Sequence, residues 1–327
     1  MSGYPVAGAS VLITGGTGSF GKAFVERLME AAPTNRPRRI IVFSRDELKQ
    51  HDMAQRWPDT GDSPMRYFLG DVRNVTRLKR AFAGVDYVVH AAALKQVPAC
   101  EYNPVEAVET NISGALNVIE AALAAGVKKV VALSTDKAVH PVNLYGASKL
   151  VAEKLFVQAN SYRGTAGTRF AVTRYGNVAG SRGSVIPVFA AARAAGEPLP
   201  ITDPAMTRFW MTLGQAVDLV LHALTRCRGG EILVPKVTST TIMELARAMS
   251  PAGPFRVTGI RPGEKLHETL ITDEEVPRTL DAGDLYVIQP RHPWWTVEGW
   301  EGAMPVPADF CYRSDTTLAP LPWSEQP

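Results

Sequence analysis

The sequence predicts an α/β fold, a doubly wound parallel sheet with helices on both faces and a smaller lobe from the C-terminal half. Two observations support this prediction. Six short apolar runs alternate with longer segments of helical period through the first half, which is typical of repeated βαβ units. From about residue 176 the pattern becomes irregular and richer in proline and glycine, which indicates the second lobe.

The apolar runs are the predicted strands of the parallel sheet. They are "SVLIT" ending at Thr14, "RIIVF" at 39–43, "YFLG" before Asp71, "DYVVHAA" from Asp86, "KKVVALS" ending at Ser134 and "RFAVTRYGN" from Arg169. Segments between them, such as "VEAVETNISGALNVIEAALAAG", place apolar residues at i, i+3, i+4 and i+7, as a buried helix face requires. We expect residues 1–176 to hold a cofactor and the catalytic residues, and residues 177–327 mainly to bind substrate, interleaved with the first domain.

Composition narrows the class of protein and of partner. The chain has 327 residues, 46% hydrophobic and 20% charged, as in an ordinary globular protein. A net charge of +3 without a long basic run gives no reason to expect nucleic acid or a membrane surface, but suits a phosphorylated small molecule. Three widely spaced cysteines form neither a disulfide framework nor a metal pattern. With no predicted signal peptide or membrane span, we expect a cytoplasmic protein.

A glycine-rich turn directly follows the first predicted strand. In "TGGTGSFGK", Gly15, Gly18 and Gly21 stand in G-x-x-G-x-x-G spacing before a predicted helix. Glycines there permit a tight turn and a close backbone approach to a pyrophosphate, while the helix N-terminus offers N–H donors. The alternative is a tight structural turn, but the strand-to-helix context favours a Rossmann-type dinucleotide site. The expected contacts from this turn and from neighbouring strand ends are Gly15, Thr17, Gly18, Ser19, Phe20, Gly21, Val72, Ala91 and Ala92.

The end of the second strand distinguishes the two nicotinamide dinucleotides. Ser44 and Arg45 begin this loop, and Lys49 follows closely. Arginine is suited to bidentate phosphate recognition, so NADP is favoured over NAD. Alternatively, Arg45 pairs with the neighbouring acids at 46 and 47. Asp71, after the third strand, either accepts from the adenine amino group or caps the next helix.

A tyrosine and a lysine four residues apart follow the fifth strand, where ligands bind in such sheets. In "STDKAVHPVNLYGASK", Tyr145 and Lys149 would share one helix face. A tyrosine acting as a base at neutral pH needs its pKa lowered by about three units, roughly 4 kcal/mol. We expect the Lys149 ammonium and the nicotinamide charge to lower it. Tyr145 would then accept a proton from a substrate hydroxyl, Lys149 would hold the nicotinamide ribose, and Thr135 would orient the hydroxyl.

Eight motifs between residue 11 and about 290 are similar to the extended short-chain dehydrogenase/reductase superfamily. They are "TGGTGSFGK", "SRDELKQ", "HAAALKQVPACEYNP", "TNISGALNVIEAAL", "STDKAVHPVNLYGASK", "RYGNVAGSRGSVIP", "ITDPAMTRFWMT" and "GIRPGEKLHE". Within the superfamily the chain resembles the inverting UDP-N-acetylglucosamine 4,6-dehydratases, which also epimerise carbon 5 and open pseudaminic acid type pathways. This finer resemblance depends chiefly on "SRDELKQ" and on Asp136-Lys137, where retaining relatives carry Asp-Glu.

The resemblance implies catalytic roles for the pair at 136 and 137. Elimination of the carbon 6 hydroxyl from a 4-keto sugar needs an acid and a base in one pocket. Asp136 is implied to protonate the departing hydroxyl, and Lys137 to remove the carbon 5 proton. As a base, Lys137 must be partly neutral, so we expect burial and the Lys149 or nicotinamide charge to lower its pKa. The alternative is a solvated loop pair without chemistry.

Further residues are implied to bind the UDP-sugar. The diphosphate and uridine contacts would come from Asn177 and from Arg182 and Val185 in "GSRGSVIP", with Arg261 as the diphosphate clamp and Glu264 on the ribose. Lys95 would reach substrate, or be a surface lysine. Arg208, Phe209 and Trp210 could line the same cleft, although core packing explains the two aromatic residues more simply. We predict no metal site.

The resemblance also implies a homo-oligomer, a dimer or a hexamer. Three other functions stay open from the sequence, and one of them is a retaining 4,6-dehydratase. A UDP-hexose 4-epimerase would use Tyr145 and Lys149 without needing Asp136 and Lys137. A non-catalytic NADP-sensing protein on the same scaffold would need no intact Tyr145 and Lys149.

Overall fold

The protein is built around one large twisted sheet. The computed structural model describes residues 6–164, 167–181, 184–292, 295 and 300–320. Its strands within these ranges are β1 Ser10–Thr14, β2 Arg39–Ser44, β3 Met65–Leu69, β4 Tyr87–His90, β5 Lys129–Thr135, β6 Arg169–Tyr175, β7 Asn177–Val178, β8 Leu199–Ile201, β9 Thr207–Met211, β10 Ile232–Pro235, β11 Ser239–Thr241, β12 Phe255–Val257, β13 Thr269–Ile271, β14 Thr279–Asp281, β15 Leu285–Ile288, β16 Met304–Pro305 and β17 Tyr312–Arg313.

The α-helices alternate with the strands through the first half, as predicted. In the described ranges they are α1 Ser19–Glu30, α2 Glu47–Arg56, α3 Val75–Phe82, α4 Val97–Tyr102, α5 Pro104–Val108, α6 Gly114–Ala125, α7 Leu144–Gln158, α8 Val185–Ala194, α9 Leu213–Arg226 and α10 Ile242–Met249. A π-helical turn, Glu109–Ser113, joins α5 to α6. No helix in the part of the chain that the structure describes has the length and apolar character needed to cross a membrane.

The sheet order confirms the predicted doubly wound parallel fold. Ten strands form the order β16-β14-β15-β10-β6-β5-β4-β1-β2-β3. The seven strands from β10 to β3 in this order pair in parallel, while β14, β15 and β16 extend the sheet antiparallel. The strand order reverses between β1 and β4, the position at which ligands bind in open α/β sheets. All six strands predicted from the sequence belong to the parallel part.

Two hydrophobic cores cover the two faces of the sheet. Because side chains alternate along a strand, Leu12 on β1 packs towards α3, α6 and α7, while Val11 and Ile13 pack towards α1 and α9. Both cores are formed by fully buried aliphatic and aromatic residues. The strands that carry the site are therefore fixed from both sides.

The second half of the chain contributes to both lobes. The smaller lobe has its own apolar cluster from α8, β8, β9 and α10, with β7, β9 and β11 forming a three-stranded sheet. Between these elements, α9 and β10 return to the main sheet, where β10 pairs with β6. This crossing back brings residues from the second lobe against the carboxyl ends of β5 and β6.

Candidate functional site

A cavity of about 910 Å³ lies along the carboxyl ends of the parallel strands. Its volume is near the upper end of the roughly 300–1,000 Å³ common for small-molecule sites. The wall contains the glycine turn after β1, the end of β2, the loop after β4, the end of β5 with the start of α7, and the residues after β6. One cavity therefore joins the predicted cofactor residues to the predicted catalytic residues.

The glycine turn is shaped for close backbone approach. Gly15 has φ +66°, and a Cβ there would lie 2.8 Å from the backbone of Ala92. A Cβ at Gly21 would lie 2.3 Å from the Gly16 carbonyl oxygen, so this glycine lets α1 approach the turn. Gly18 is the N-cap of α1, whose first N–H groups have no side-chain cap. The turn thus has the cradle and the helix N-terminus that suit a pyrophosphate.

Most of the predicted cofactor residues line this cavity. Those on its wall are Gly15, Thr17, Gly18, Ser19, Phe20, Gly21, Ser44, Arg45, Lys49, Val72, Ala91, Ala92, Tyr145 and Lys149. Asp71 is not part of the wall among the described residues.

The loop after β2 keeps its arginine available to the cavity. Arg45 Nη1 lies 3.6 Å from Asp71 Oδ2, an acid that the alternative pairing with residues 46 and 47 did not name, and the Arg45 side chain is 51% exposed. Asp46 caps α2 by accepting from the Lys49 N–H. Asp71 does not cap the next helix, because Asn74 caps α3. Partial burial raises the pKa of Asp71, but hydrogen bonds from Arg73 outweigh it and lower the pKa overall.

The catalytic loop begins where β5 ends. Thr135 is the last residue of β5, and a 3-10 turn, Asp136–Ala138, follows directly. The Thr135 hydroxyl donates to Asp136 Oδ1 at 2.9 Å, and Lys137 Nζ donates to the same oxygen at 3.0 Å. Gly146 on α7 makes the return of the loop possible, because a Cβ there would lie 2.1 Å from the Lys137 carbonyl oxygen.

The pair at 136 and 137 is not a solvated loop pair. Asp136 is fully buried, and the Lys137 side chain, 24% exposed, lies on the cavity wall. Lys137 Nζ also lies 3.2 Å from Glu268 Oε1. Burial raises the pKa of Asp136, although the Lys137 charge opposes this. The Lys137 ammonium is therefore held between two buried carboxylates.

The predicted direction of the Lys137 pKa shift is wrong for this arrangement. Burial does lower it, as expected, but the Asp136 and Glu268 carboxylates outweigh burial and raise the pKa of Lys137 well above its usual value. Glu268 itself has its pKa lowered to about 2: burial acts against this, but the charges of Lys137, Arg208 and Lys265 outweigh it. The sequence motif contains Glu268, but nothing in its spacing indicated which side chain it would face.

Tyr145 and Lys149 lie on the first turns of α7, as predicted. Burial raises the pKa of Tyr145 to about 12, while the Lys137 charge and hydrogen bonding with Thr135 act to lower it. The Lys137 ammonium also acts on Tyr145, an effect that the sequence analysis did not predict. Burial lowers the pKa of Lys149 to about 8, with Glu153 opposing the shift.

His90 is a buried residue next to the cavity wall whose contacts the sequence did not predict. It is buried at the end of β4, and its Nδ1 shares a hydrogen bond of 2.8 Å with the Thr14 hydroxyl. Burial, with a smaller effect of the Lys149 charge, lowers the pKa of His90 to about 3. The imidazole is therefore neutral and joins β4 to β1 below the glycine turn.

The predicted substrate residues fall into two groups. Lys95 and Asn177 line the cavity; burial, followed by the Lys137 charge, lowers the pKa of Lys95. Asn177 Oδ1 is buried without a hydrogen-bond partner among the described residues. Val185, the first residue of α8, is outside the described cavity wall. Arg182 lies outside the described residues.

Arg261 and Glu264 lie on a segment that crosses the catalytic loop. Arg261 Nη1 is 3.8 Å from Glu264 Oε1, and neither residue is part of the described cavity wall. The segment is attached to the loop by two hydrogen bonds. Asn143 Nδ2 donates to the Gly263 carbonyl at 2.7 Å, and Lys265 Nζ donates to the Val139 carbonyl at 2.6 Å.

The three consecutive residues Arg208, Phe209 and Trp210 of β9 differ in their surroundings, as the simpler alternative predicted. Phe209 and Trp210 are buried core residues. Arg208 donates to the carbonyls of Lys265 and Leu266, and its Nε lies 3.9 Å from Glu268 Oε1. Within the ranges that the structure describes, no group of three or more His, Cys, Asp or Glu residues could hold a metal ion.

Known proteins with similar sequences cover most of the chain. A protein of Campylobacter jejuni (serotype O:23/36, strain 81-176), named UDP-N-acetylglucosamine 4,6-dehydratase (inverting), is 52% identical over 284 residues, 86% of this chain and 83% of its own. A protein of Rickettsia canadensis named UDP-glucose 4-epimerase is 47% identical, covering 85% of this chain and 82% of its own.

Solved structures of similar proteins have the same fold. Pen from Bacillus thuringiensis has a TM-score of 0.87 at 38% identity, over 96% of this chain and 95% of its own. DesIV, a dTDP-glucose 4,6-dehydratase from Streptomyces venezuelae solved with NAD and TYD bound, has a TM-score of 0.69 at 26% identity, over 79% and 86%. The profile of a family described as polysaccharide biosynthesis protein matches residues 11–290, and the chain belongs to this family.

Proposed function

We propose that the protein is an NADP-dependent UDP-N-acetylglucosamine 4,6-dehydratase that inverts carbon 5. The observation that carries the proposal is the buried pair of Asp136 and Lys137 in the same cavity as Tyr145 and the glycine turn. An epimerase would need no such pair. The 52% identity to the Campylobacter protein named for this activity supports the same reaction.

The cavity suits a nicotinamide dinucleotide because the glycine turn leaves no room for a Cβ at Gly15 and presents the N-terminus of α1. The chemistry that this cofactor would supply when bound is hydride transfer, from carbon 4 of the sugar and later to carbon 6. Lys149 would hold its nicotinamide ribose. The remaining steps are proton transfers by the chain's own residues.

Tyr145 would remove the proton from the carbon 4 hydroxyl. With a pKa raised to about 12 by burial, its phenol needs help in this step. The Lys137 ammonium and the hydrogen bond with Thr135 both act to lower the pKa of Tyr145. In this proposal, Lys137 therefore assists the oxidation while it is still charged.

Elimination then requires Lys137 as a base and Asp136 as an acid. One proton transfer from Lys137 Nζ to Asp136 Oδ1, across 3.0 Å, gives a neutral amine and a protonated carboxyl together. The amine removes the carbon 5 proton, and Asp136 protonates the departing carbon 6 hydroxyl. Asp136 Oδ2, buried without a partner among the described residues, is costly while ionised, which suits a group that carries a proton during turnover.

Preference for NADP over the NAD found in DesIV depends on Arg45. Its half-exposed guanidinium on the cavity wall, beside Ser44 and Lys49, can bind a 2′-phosphate. The test is Arg45→Ala, which should weaken NADP binding by at least about tenfold and leave NAD binding nearly unchanged, as one lost charge-assisted hydrogen bond suggests. Equal weakening of both dinucleotides would contradict this assignment.

The UDP-sugar would bind across the two lobes. Lys95 and Asn177 are on the cavity wall, while Arg261, Glu264, Val185 and Arg182 would extend the site towards the diphosphate and uridine. In this proposal, residues 1–176 hold the cofactor and residues 177–327 mainly the substrate. We also propose that the protein works in the cytoplasm as a homo-oligomer, a dimer or a hexamer.

The test is incubation with UDP-N-acetylglucosamine in deuterated water. The expected product is a 4-keto-6-deoxy sugar that carries deuterium at carbon 5, detected by mass spectrometry and NMR. Lys137→Ala should reduce this product by about a hundredfold or more, while bound NADP is still reduced by the substrate, although more slowly because Lys137 also assists Tyr145. The matched control is Lys128→Ala, which removes a lysine that is 65% exposed and should leave the rate unchanged.

The Rickettsia relatives favour one second candidate, a UDP-hexose 4-epimerase. The same experiment separates the two functions. An epimerase would yield the carbon 4 epimer without deuterium at carbon 5, and Lys137→Ala would keep that activity. Absence of the dehydrated product in the wild-type protein would overturn the leading proposal.

A further inference from the structure

Glu268 is a buried carboxylate that faces the catalytic amine. It precedes β13, and its side chain is 2% exposed. Its Oε1 lies 3.2 Å from Lys137 Nζ, and its Oε2 lies 3.1 Å from Lys265 Nζ. The residue thus links the catalytic loop to the segment that begins with Arg261.

Stability alone is a weak reason for this arrangement. Taking a carboxylate out of water carries a penalty of several kcal/mol, and buried ion pairs are often no more stable than apolar residues of similar volume. Glu268 contacts Lys137, the side chain that the proposal assigns as the base and that lies in the cavity wall. A role in the reaction explains its position better than packing does.

We propose that Glu268 is a positioning residue, which holds Lys137 at the cavity wall and keeps it as the ammonium until its proton passes to Asp136. This inference rests on the proposed role of Lys137 as the base. A neutral amine has two N–H donors and one lone pair. When one N–H donates to Glu268 Oε1, the range of directions open to the lone pair is reduced, so the amine is oriented for attack on a carbon-bound proton.

Other charged and titratable groups also face Lys137. Asp136 on the 3-10 turn raises its pKa, whereas Arg208 on β9 lowers it. Lys95 in the loop after β4 and Tyr145 on α7 are further titratable neighbours. Asp136 loses its charge once it accepts the proton.

After that transfer, Glu268 is the carboxylate still facing the amine. It is then the group that stabilises Lys137 as the ammonium once the amine has taken the carbon 5 proton.

Lys265 fixes the carboxylate in place. Its Nζ contacts both Glu268 Oε2 and the Val139 carbonyl, which follows the 3-10 turn. The carboxylate is therefore anchored to the same loop as Lys137. Glu268→Asp keeps the charge on a shorter side chain, and Glu268→Gln keeps the shape without the charge.

The first experiment measures protonation of Lys137 without using activity. The full-length protein is trace-labelled with isotopic acetic anhydride between pH 6 and pH 11, and acetylation of Lys137 is read by peptide mass spectrometry. An opposite charge within about 4–6 Å shifts a pKa by roughly 1–3 units. Glu268→Gln should therefore raise the Lys137 acetylation rate at pH 8 by at least about tenfold, and Glu274→Gln, at an exposed position on the same segment, should not.

The second experiment follows deuterium incorporation at carbon 5 as a function of pH. In Glu268→Gln, the acid limb of carbon 5 deuterium incorporation should move to lower pH, while Glu268→Asp should retain the wild-type limb at a lower rate. An unchanged acetylation profile in a folded Glu268→Gln protein overturns the inference. If the wild-type protein dehydrates no UDP-sugar, the proposed function fails, and the acetylation profile still decides whether Glu268 controls Lys137.

Discussion

Replacing Arg174 by methionine tests how strongly one buried ion network holds the catalytic helix. Arg174 on β6 has a side chain 2% exposed, and it pairs with Glu153 on α7 and with Glu275 before β14. Its Nε donates to Glu153 Oε2 at 3.1 Å, its Nη1 to Glu275 Oε2 at 2.7 Å, and its Nη1 also to the Leu270 carbonyl at 2.9 Å. Methionine fills a similar space but leaves two carboxylates buried.

Removing one partner of a buried pair destabilises a protein by about 3–5 kcal/mol. In a chain of 327 residues, that corresponds to a fall in Tm of about 4–7 °C, measured by circular dichroism. Burial raises the pKa of Glu275, but the Arg174 charge outweighs burial and lowers this pKa to about 2. The Glu275 carboxylate therefore stabilises the wild-type fold at pH values above its unfolded pKa. In Arg174→Met the freed carboxylates favour protonation, so the loss should be larger at pH 8 than at pH 5.

The control is Arg38→Met, which removes a surface arginine that is 54% exposed and pairs with Asp86 at 3.2 Å. Exposed pairs contribute about 0–1 kcal/mol, so its Tm should change by no more than about 2 °C. Equal losses in Arg174→Met and Arg38→Met would refute the reasoning. A loss in Arg174→Met that is the same at pH 5 and pH 8 would also contradict it, because burial of unpaired charge would then not be the cause.

Three further substitutions test the loop, the turn and the helix. Gly146→Ala, whose Cβ would lie 2.1 Å from the Lys137 carbonyl oxygen, should lower stability by about 1–3 kcal/mol and displace the catalytic loop, seen as lost dehydration in a protein that still binds the dinucleotide. Gly15→Ala, with φ +66° and a Cβ 2.8 Å from the Ala92 backbone, should lower stability by about 1–3 kcal/mol and abolish dinucleotide binding in a fluorescence titration of the folded protein. Burial lowers the pKa of Lys149 to about 8, so its ammonium is lost above that pH and single-turnover cofactor reduction should decline there. Lys149→Arg, which stays charged, should react more slowly but show no such decline.

The fold of the first half could be predicted from the sequence because each element has a local signal. The run "RIIVF" is bounded by polar residues and becomes β2, Arg39–Ser44. The second half gives weaker signals because its strands are short and pair with distant segments. Tyr312 on β17, for example, pairs with Ile271 on β13, and no periodicity in two or three residues predicts such a partner.

The site was predictable to the same extent and for the same reason. Tyr145, Lys149 and the pair Asp136-Lys137 are close in sequence, so spacing on one loop and one helix places them together. Glu268 reaches Lys137 through folding of the second lobe, so its effect could not be predicted. The wrong sign for the Lys137 pKa follows from that missing contact, because burial alone would lower it and two carboxylates reverse it.

The contacts of Lys137 also explain why a lysine at this position is not interchangeable with the glutamate of retaining relatives. In this chain the ammonium lies between Asp136 and Glu268, both buried. A glutamate at position 137 would place three carboxylates close together beside the two positive charges of Arg208 and Lys265. At least one of these carboxylates would then have to take up a proton. A protonated carboxyl in place of the amine is no base, so a change of the base requires a change of the partner that faces it.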